Sequence, residues 1–242
     1  MTKEKEKISK FLLRILVYVI GIFFVAWGVA FAISSDLGVS PATSSSYLFH
    51  KATGFDLDLS IIIIYSVCIL LQFILLRKNF KWYYIFQIVF AVLFGYMTDF
   101  TRDVLDGFCF PTYAGQLLML LISLILIGFG IMLYVKAKIL PMPMEGLALA
   151  IAQVQNKFKF HHTKIFVDCT SVTLAIIISF IRFGKLVGVG EGTVIIAVCV
   201  GQLVKYMQIP FTKFFAWLLN EPKKEEVAQQ PKQNQEQEKV EQ

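Results

Sequence analysis

The sequence predicts an all-α fold, namely a polytopic transmembrane helical bundle of about six spans arranged as two inverted three-span repeats. Two observations from composition support this: 57% of the 242 residues are hydrophobic, and the mean hydropathy is +0.67. A soluble domain averages roughly 45–50% apolar residues, so lipid is the expected solvent for most of this chain. The third observation is a pair of proline-containing breaks about a hundred residues apart. Each repeat is predicted to contain one short half-helix that starts at such a proline.

Six apolar runs are long enough to cross a bilayer. A transmembrane helix needs about 20 predominantly apolar residues. On that criterion the predicted spans are 11–33, 59–76, 83–100, 116–135, 164–181 and 192–208.

These spans divide the chain into five predicted segments. The first three spans form one repeat and the last three form the other. The segment after the sixth span is aromatic with one lysine, which suits a helix at the bilayer surface. The final segment is rich in Gln, Glu and Lys and is predicted to be disordered. The segments are a basic cytoplasmic N-terminus at 1–10, repeats at 11–105 and 106–208, an interfacial helix at 209–219 and a cytoplasmic tail at 220–242.

The basic residues predict an orientation. If the N-terminus is cytoplasmic, 19 of the 23 Lys and Arg residues fall on the cytoplasmic side. The outer segments hold Lys51, Arg102, Arg182 and Lys185. This excess follows the positive-inside rule and predicts a multi-pass plasma-membrane protein with both termini in the cytoplasm and the lipid bilayer as its surroundings. The net charge of +6 is spread over these segments, so no nucleic-acid partner is expected.

The two halves of the chain align weakly but in order. When Gly28 is placed on Gly130, Pro41 falls on Pro143, and further along Gly95 meets Gly201. Because each copy has three spans, the second copy enters the membrane from the opposite side. Inverted repeats with Gly/Pro-interrupted segments at matching positions are typical of alternating-access carriers. The alternative is that inverted duplication is simply a way to build a membrane bundle.

The two breaks predict half-helices that are too short to span. Ser40 can cap exposed amides, and Pro41 suits the first helical position because it has no N–H to lose. This half-helix is predicted to end at Gly54. The second is predicted to start at Pro143 and to continue to about Asn156. The glycine run that opens the sixth span, from Gly188 to Gly192, is interpreted as a flexible re-entry.

The half-helix N-termini are the candidate binding positions, because free amides there carry a partial positive charge. In the first copy neutral hydroxyls leave room for a polar or anionic group. In the second copy Glu145 complements the helix dipole, which favours a cation, a proton or an internal salt bridge. Capped interfacial helices without a ligand are the alternative. The candidate substrate-binding residues are Ser40, Pro41, Thr43, Ser44, Pro143 and Glu145.

Three further polar residues lie within the spans. Asp99 ends the third span and is a candidate coupling residue, or else is solvated. Asp168 lies four residues after Lys164, and an ion pair across one helical turn explains it without a function. Gln202 is typical of an interhelical hydrogen bond rather than a ligand. No catalytic or metal-ligating pattern is present, so neither an enzyme nor a metal or other cofactor is expected.

Five short motifs resemble those of a known family. They are "LGVSP" at Leu37–Pro41, "ATG" at Ala52–Gly54, "FGYMTD" at Phe94–Asp99, "MPMEGLALA" at Met142–Ala150 and the stretch from Val187 to Val204. Together they are similar to the YczE/YyaS/YitT family of bacterial integral membrane proteins over about residues 15–208. The resemblance implies a bacterial membrane protein of about six spans and implies no particular substrate.

This chain departs from the family pattern at its polar positions. Ala42 and Thr43 stand where the family has Trp-Asp, and Met144 stands where it has an arginine. Any ligand is therefore expected to be bound differently here, or not at all. The sequence as a whole favours a secondary transporter of a small solute, with homo-oligomerisation left open. The alternative is a non-transporting membrane scaffold or sensor that acts through a partner.

Overall fold

The computed structural model describes residues 3–155 and 160–218, and within these ranges the regular structure is entirely helical. Two short 3-10 turns, Arg77–Asn79 and Trp82–Phe86, lie between the third and fourth α-helices. The predicted all-α fold is confirmed. The helices are α1 (Lys3–Ser34), α2 (Pro41–Thr53), α3 (Leu57–Leu76), α4 (Gln87–Val104), α5 (Tyr113–Ala137), α6 (Pro143–Gln155), α7 (Phe160–Phe183) and α8 (Glu191–Leu218).

Six helical segments are long and apolar enough to cross a membrane, so the protein is an integral, multi-pass membrane protein. Each overlaps one of the six predicted spans and extends past it by a few residues at the ends. The segments are Ile8–Ser34, Leu57–Asn79, Trp82–Val104, Tyr113–Ala137, His162–Phe183 and Glu191–Phe211.

The first and last helices are longer than the spans predicted from hydropathy. The basic segment predicted at 1–10 is helical from Lys3 onward. At the other end α8 continues to Leu218 with Pro210 inside it, in place of a separate helix at 209–219. Proline removes one backbone hydrogen bond, and transmembrane helices tolerate that loss. The tail predicted at 220–242 lies outside the described residues.

The half-helices begin at the predicted prolines. α2 and α6 have 13 residues each. At a rise of 1.5 Å per residue this is about 20 Å, too short for a hydrocarbon core of about 30 Å. α2 ends at Gly54, whose φ of 79° lies in the left-handed region that glycine adopts without strain. Ser40 occupies the N-cap position, but its side chain makes no capping hydrogen bond, so that part of the prediction was wrong.

The helices pack in pairs that the inverted repeat relates to each other. α2 of the first repeat packs against α7 of the second, and α6 of the second packs against α3 of the first. In the same way α1 contacts α4, while α5 contacts α8. Each half-helix is therefore held by a long helix of the other copy. The two copies are interlocked and form one bundle.

The close crossing of α1 and α5 lies at the centre of this bundle. A Cβ atom added at Gly21 would lie 2.8 Å from the Gly130 carbonyl oxygen, and one at Gly28 would lie 3.0 Å from the Ser123 carbonyl oxygen. The repeat offset of 102 places Gly28 on Gly130 and Gly21 on Ser123. These two contacts are therefore the same contact seen from each copy. Small residues let membrane helices approach closely enough for backbone packing to stabilise them.

One contact breaks the symmetry. α3 packs against α4, but their counterparts α7 and α8 have no comparable contact within the described residues. A Cβ atom at Gly95 on α4 would lie 2.9 Å from the Asp58 carbonyl oxygen on α3. At Gly201, the counterpart on α8, no described atom lies within 4 Å of such a Cβ. The second repeat is thus open where the first is closed.

The glycine run before α8 is held by the loop after α1. The Val39 N–H donates to the Gly188 carbonyl at 3.0 Å, and the Gly192 N–H donates to the Leu37 carbonyl at 2.8 Å. A Cβ at Gly192 would lie 2.9 Å from that same Leu37 oxygen. The glycines therefore permit a close backbone approach, which differs from the flexible re-entry inferred from the sequence.

The α1–α5 crossing predicts which glycines tolerate a side chain. We expect Gly21→Ala to cost about 1–3 kcal/mol of stability, because its methyl group would overlap backbone atoms of α5. Gly201→Ala is the matched control and should cost nothing, since its methyl group would meet open space. Thermal unfolding in detergent, followed by size-exclusion chromatography, measures both. Equal unfolding temperatures for the two variants would contradict the crossing described here.

Candidate functional site

A cavity of about 640 Å³ lies inside the bundle, next to the gap between α7 and α8. It extends from the N-terminus of α2, at Ser40 to Thr43, to the C-terminus of α5 at Lys138 and the N-terminus of α7 at Phe160. Most of its wall is apolar. Its volume falls within the range of roughly 300–1,000 Å³ that is usual for small-molecule sites.

The cavity brings together predicted residues from both repeats. Ser40, Pro41 and Thr43 line it from the first break, Glu145 lines it from α6, and Asp168 lines it from α7. Residues more than a hundred positions apart in sequence therefore share one site, because each half-helix packs against the other repeat. The other four candidates, Ser44, Pro143, Asp99 and Gln202, are not part of its wall.

The hydroxyls at the start of α2 are engaged in hydrogen bonds. The Thr43 hydroxyl donates to the Ser40 carbonyl at 3.2 Å. The Ser44 hydroxyl lies 3.3 Å from that of Ser171 on α7, which donates to Ser45 Oγ at 3.0 Å. These bonds fix the first turn of α2 and attach it to α7. The sequence predicted a ligand role for these hydroxyls, and their contacts in this structure are within the protein.

The start of α6 is held by the buried amide of Gln72, which is itself bonded to a second buried amide. Gln72 Nε2 on α3 donates to the Pro143 carbonyl at 3.1 Å and to Gln87 Oε1 at 3.0 Å. Gln72 is 1% exposed and Gln87 is fully buried. Gly146 leaves space for them, since a Cβ there would lie 2.7 Å from Gln72 Oε1. Pro143 therefore positions α6 through its carbonyl, and Gln72 has the interhelical bonding typical of such residues.

Glu145 has one hydrogen-bond partner that the sequence did not indicate. The Tyr134 hydroxyl on α5 donates to Glu145 Oε1. The Tyr134 ring is 4% exposed and packs edge-on to Tyr18 of α1, with ring centroids 5.8 Å apart. The sequence signal for this contact was weak, because nothing about a tyrosine in an aliphatic span predicts a hydrogen bond to a side chain on the following helix.

The other acidic candidate in the wall is neutralised within its own helix. Lys164 Nζ lies 2.8 Å from Asp168 Oδ1, which confirms the predicted pairing across one turn of α7. Both side chains line the cavity and are about one quarter exposed. Two further ion pairs join Arg102 to Asp99 and to Asp103, outside the cavity wall.

Asp99 and Gln202 lie away from the cavity. Asp99 Oδ1 lies 3.1 Å from an Arg102 guanidinium nitrogen near the end of α4, and Arg102 also lies 3.4 Å from His50 Nε2 on α2. This cluster belongs to the end of the bundle where α2 ends. Gln202 is exposed on α8. The structure therefore does not bring either residue to the predicted site.

The arrangement is suited to binding rather than to bond chemistry. Its polar side chains include one carboxylate with a tyrosine donor, one internal ion pair, Lys138 at the end of α5 and the hydroxyls at the start of α2. Over residues 3–155 and 160–218 no three His, Cys, Asp or Glu side chains are grouped as a metal site requires.

The two amides that hold α6 predict a stability difference. Gln72→Leu removes the donor to Pro143 and leaves buried polar groups without a partner, at a cost of about 1–3 kcal/mol. Gln202→Leu makes the same change at an exposed position of α8 and should be neutral or slightly stabilising. Unfolding temperatures in detergent compare the two variants. If Gln72→Leu is as stable as Gln202→Leu, the amides do not anchor α6.

No curated protein and no solved structure matches this chain. A family model matches residues 12–209, described as a family of unknown function. The matched region contains all of α2 to α7 and therefore both half-helices and nearly the whole wall of the cavity. Because the match covers well over half of the 242 residues, the chain belongs to this family of unknown function, DUF6198.

Proposed function

We propose that this protein is a secondary transporter of a small solute in the plasma membrane, which works by alternating access of its inverted repeats. The observation that carries the proposal is the broken symmetry of the bundle. α3 and α4 are packed together, whereas α7 and α8 are apart and the cavity lies beside their gap.

Inverted repeats supply a second state from the first. Two copies of one fold take different conformations here, one closed and one open. If the copies exchange conformations, α7 and α8 close and α3 and α4 part. The cavity would then open towards the other side of the membrane, which is how transporters of this architecture alternate.

Gly201 supports such an exchange. Its counterpart Gly95 is required where α4 approaches α3, yet Gly201 faces open space among the described atoms. A glycine inside a helix is less stable than alanine by roughly 0.5–1 kcal/mol, and nothing in this state offsets that. In the exchanged state Gly201 would let α8 approach α7 as Gly95 lets α4 approach α3.

At the Ser40 end of the cavity the loop after α1 and the loop before α8 are joined by the Val39–Gly188 and Gly192–Leu37 backbone hydrogen bonds. Each contributes about 0.5–1.5 kcal/mol net. The hydroxyls of Ser44, Ser45 and Ser171 join α2 to α7 at the same end. With the proposed cytoplasmic termini this is the outer end, so these contacts would have to rearrange to admit a solute from outside.

The orientation and the location rest on the sequence. The excess of basic residues on the proposed inner side supports cytoplasmic termini. The similarity of five motifs to the YczE/YyaS/YitT family supports a bacterial plasma membrane, and we propose that those proteins share this architecture. A scaffold or sensor without a transported solute remains the competing function.

Two-sided access to the cavity tests the transporter directly. Ala42 lines the cavity, and Ala42→Cys would be placed in a variant without the exposed cysteines 109, 169 and 199. We expect this thiol to react with an impermeant reagent added to either side of oriented vesicles. Adding Gly201→Leu should prevent closure of α8 on α7 and leave reaction from the inner side alone.

The control for Gly201→Leu is Val198→Leu, at a position of α8 that is 58% exposed, and it should leave reaction from both sides unchanged. Reaction from one side alone without Gly201→Leu would favour the scaffold or sensor.

The proposed orientation has its own test. Lys51 and Lys78 are exposed at opposite ends of the bundle. Lys51→Cys should react with an impermeant thiol reagent in intact cells, and Lys78→Cys should react after permeabilisation. The reverse pattern would place the termini outside and reverse the direction in which the cavity opens.

A further inference from the structure

We propose that the cavity binds an organic cation with an apolar body, held by the Glu145 carboxylate. Binding is argued from the cavity alone, and transport of that cation rests on the proposed function. The Glu145 carboxylate lies in the wall of a mostly apolar cavity that aromatic rings also line.

The cavity wall contains two acidic side chains, Glu145 and Asp168. Asp168 is neutralised by Lys164 at 2.8 Å. Lys138 also lines the cavity, but it is exposed at the end of α5, where water screens its charge. The Tyr134 hydroxyl donates a hydrogen bond to Glu145 but brings no charge. The wall is therefore acidic at Glu145.

The α6 dipole stabilises this carboxylate only in part. A helix N-terminus is equivalent to roughly half a positive charge. Glu191 also lies in the first turn of its helix, α8, but there it is exposed to solvent. Glu145 is half-buried against an apolar wall, where a carboxylate without a counter-charge is costly. A cationic ligand would supply the missing charge.

Aromatic rings that line the same cavity as Glu145 suit a cation with an apolar body. Tyr65, Phe94 and Tyr134 all line the cavity, and the Tyr65 and Phe94 rings are stacked with centroids 5.9 Å apart. Aromatic faces attract cations through their quadrupole. The aliphatic wall, including Val25 and Ile131, would contact the apolar part of the same molecule.

An anion has weaker support in this cavity. The Thr43 hydroxyl at the start of α2 already donates within its own turn. Lys164 is engaged with Asp168. The other basic side chain in the wall, Lys138, lies at the exposed end of α5, where water screens its charge. An anion bound deeper in the cavity would meet the charge of the half-buried Glu145.

The test uses two ions of nearly the same shape and opposite charge. Isothermal titration of the purified full chain in a neutral detergent would compare tetraphenylphosphonium with tetraphenylborate. Because both partition into micelles, the difference between them reports charge selectivity. We expect saturable binding of the cation and not of the anion.

Variants assign the charge selectivity to Glu145. Glu145→Gln should weaken cation binding by about tenfold or more, since each tenfold corresponds to about 1.4 kcal/mol. Glu191→Gln makes the same change at the first turn of α8, outside the cavity, and should leave binding unchanged. Should Glu145→Gln fail to fold, Glu145→Asp keeps the charge and should keep selectivity for the cation.

Each outcome decides the question. Equal binding of both ions, no binding of the cation, or unchanged affinity in Glu145→Gln would overturn the proposed cation site. So would loss of selectivity in a folded Glu145→Asp variant. The labelling of Ala42→Cys uses no solute, so two-sided access without cation binding would retain the transporter and discard the cation. Cation binding with one-sided access would retain the cation site and discard the transporter.

Discussion

The close crossing of α1 and α5 is the constraint on which the rest of the bundle depends. Gly21 meets Gly130, and Gly28 meets Ser123 and Ile127, so two long helices touch nearly backbone to backbone. Lipid gives apolar helices no hydrophobic reason to associate, so packing of this kind must supply the attraction. The crossing joins the two repeats, and α4 and α8 pack on its two helices. Larger side chains here would separate the repeats and enlarge the cavity.

Buried polar contacts place the half-helices against this frame, and the two copies use different chemistry for it. Gln72 holds α6 by the Pro143 carbonyl, while Ser171 holds α2 by its serines. Inside an apolar bundle a buried polar group without a partner is costly. Each of these hydrogen bonds therefore favours the one helix position in which it can form. The repeat offset also places Thr43 on Glu145, so the same structural position is neutral in one copy and acidic in the other. The carboxylate in the proposed cation site arises from that difference.

The open and closed halves connect this packing to the proposed transport. α3 and α4 show that the fold permits the closed arrangement, and the gap between α7 and α8 shows that it also permits the open one. Both arrangements are built from the same repeat. They should therefore differ little in free energy, as a transporter requires and a rigid scaffold does not. Glu145 lies beside the gap, where a ligand could change the balance between the two states.

The sequence by itself determined the spans and the half-helices. The apolar runs form helices because lipid offers backbone groups no hydrogen bonds. Pro41 and Pro143 mark the starts of α2 and α6 because proline suits the first helical position, a preference that is local to the sequence. The Lys164–Asp168 pair was also predictable, because its geometry is local to one turn. Only the tertiary structure decided that Tyr134 donates to Glu145, that Asp168 lines the cavity, and that Asp99 and Gln202 do not. Helices apolar all round give no periodic signal for which face points inward. Their rotation is fixed by contacts between residues far apart in the chain.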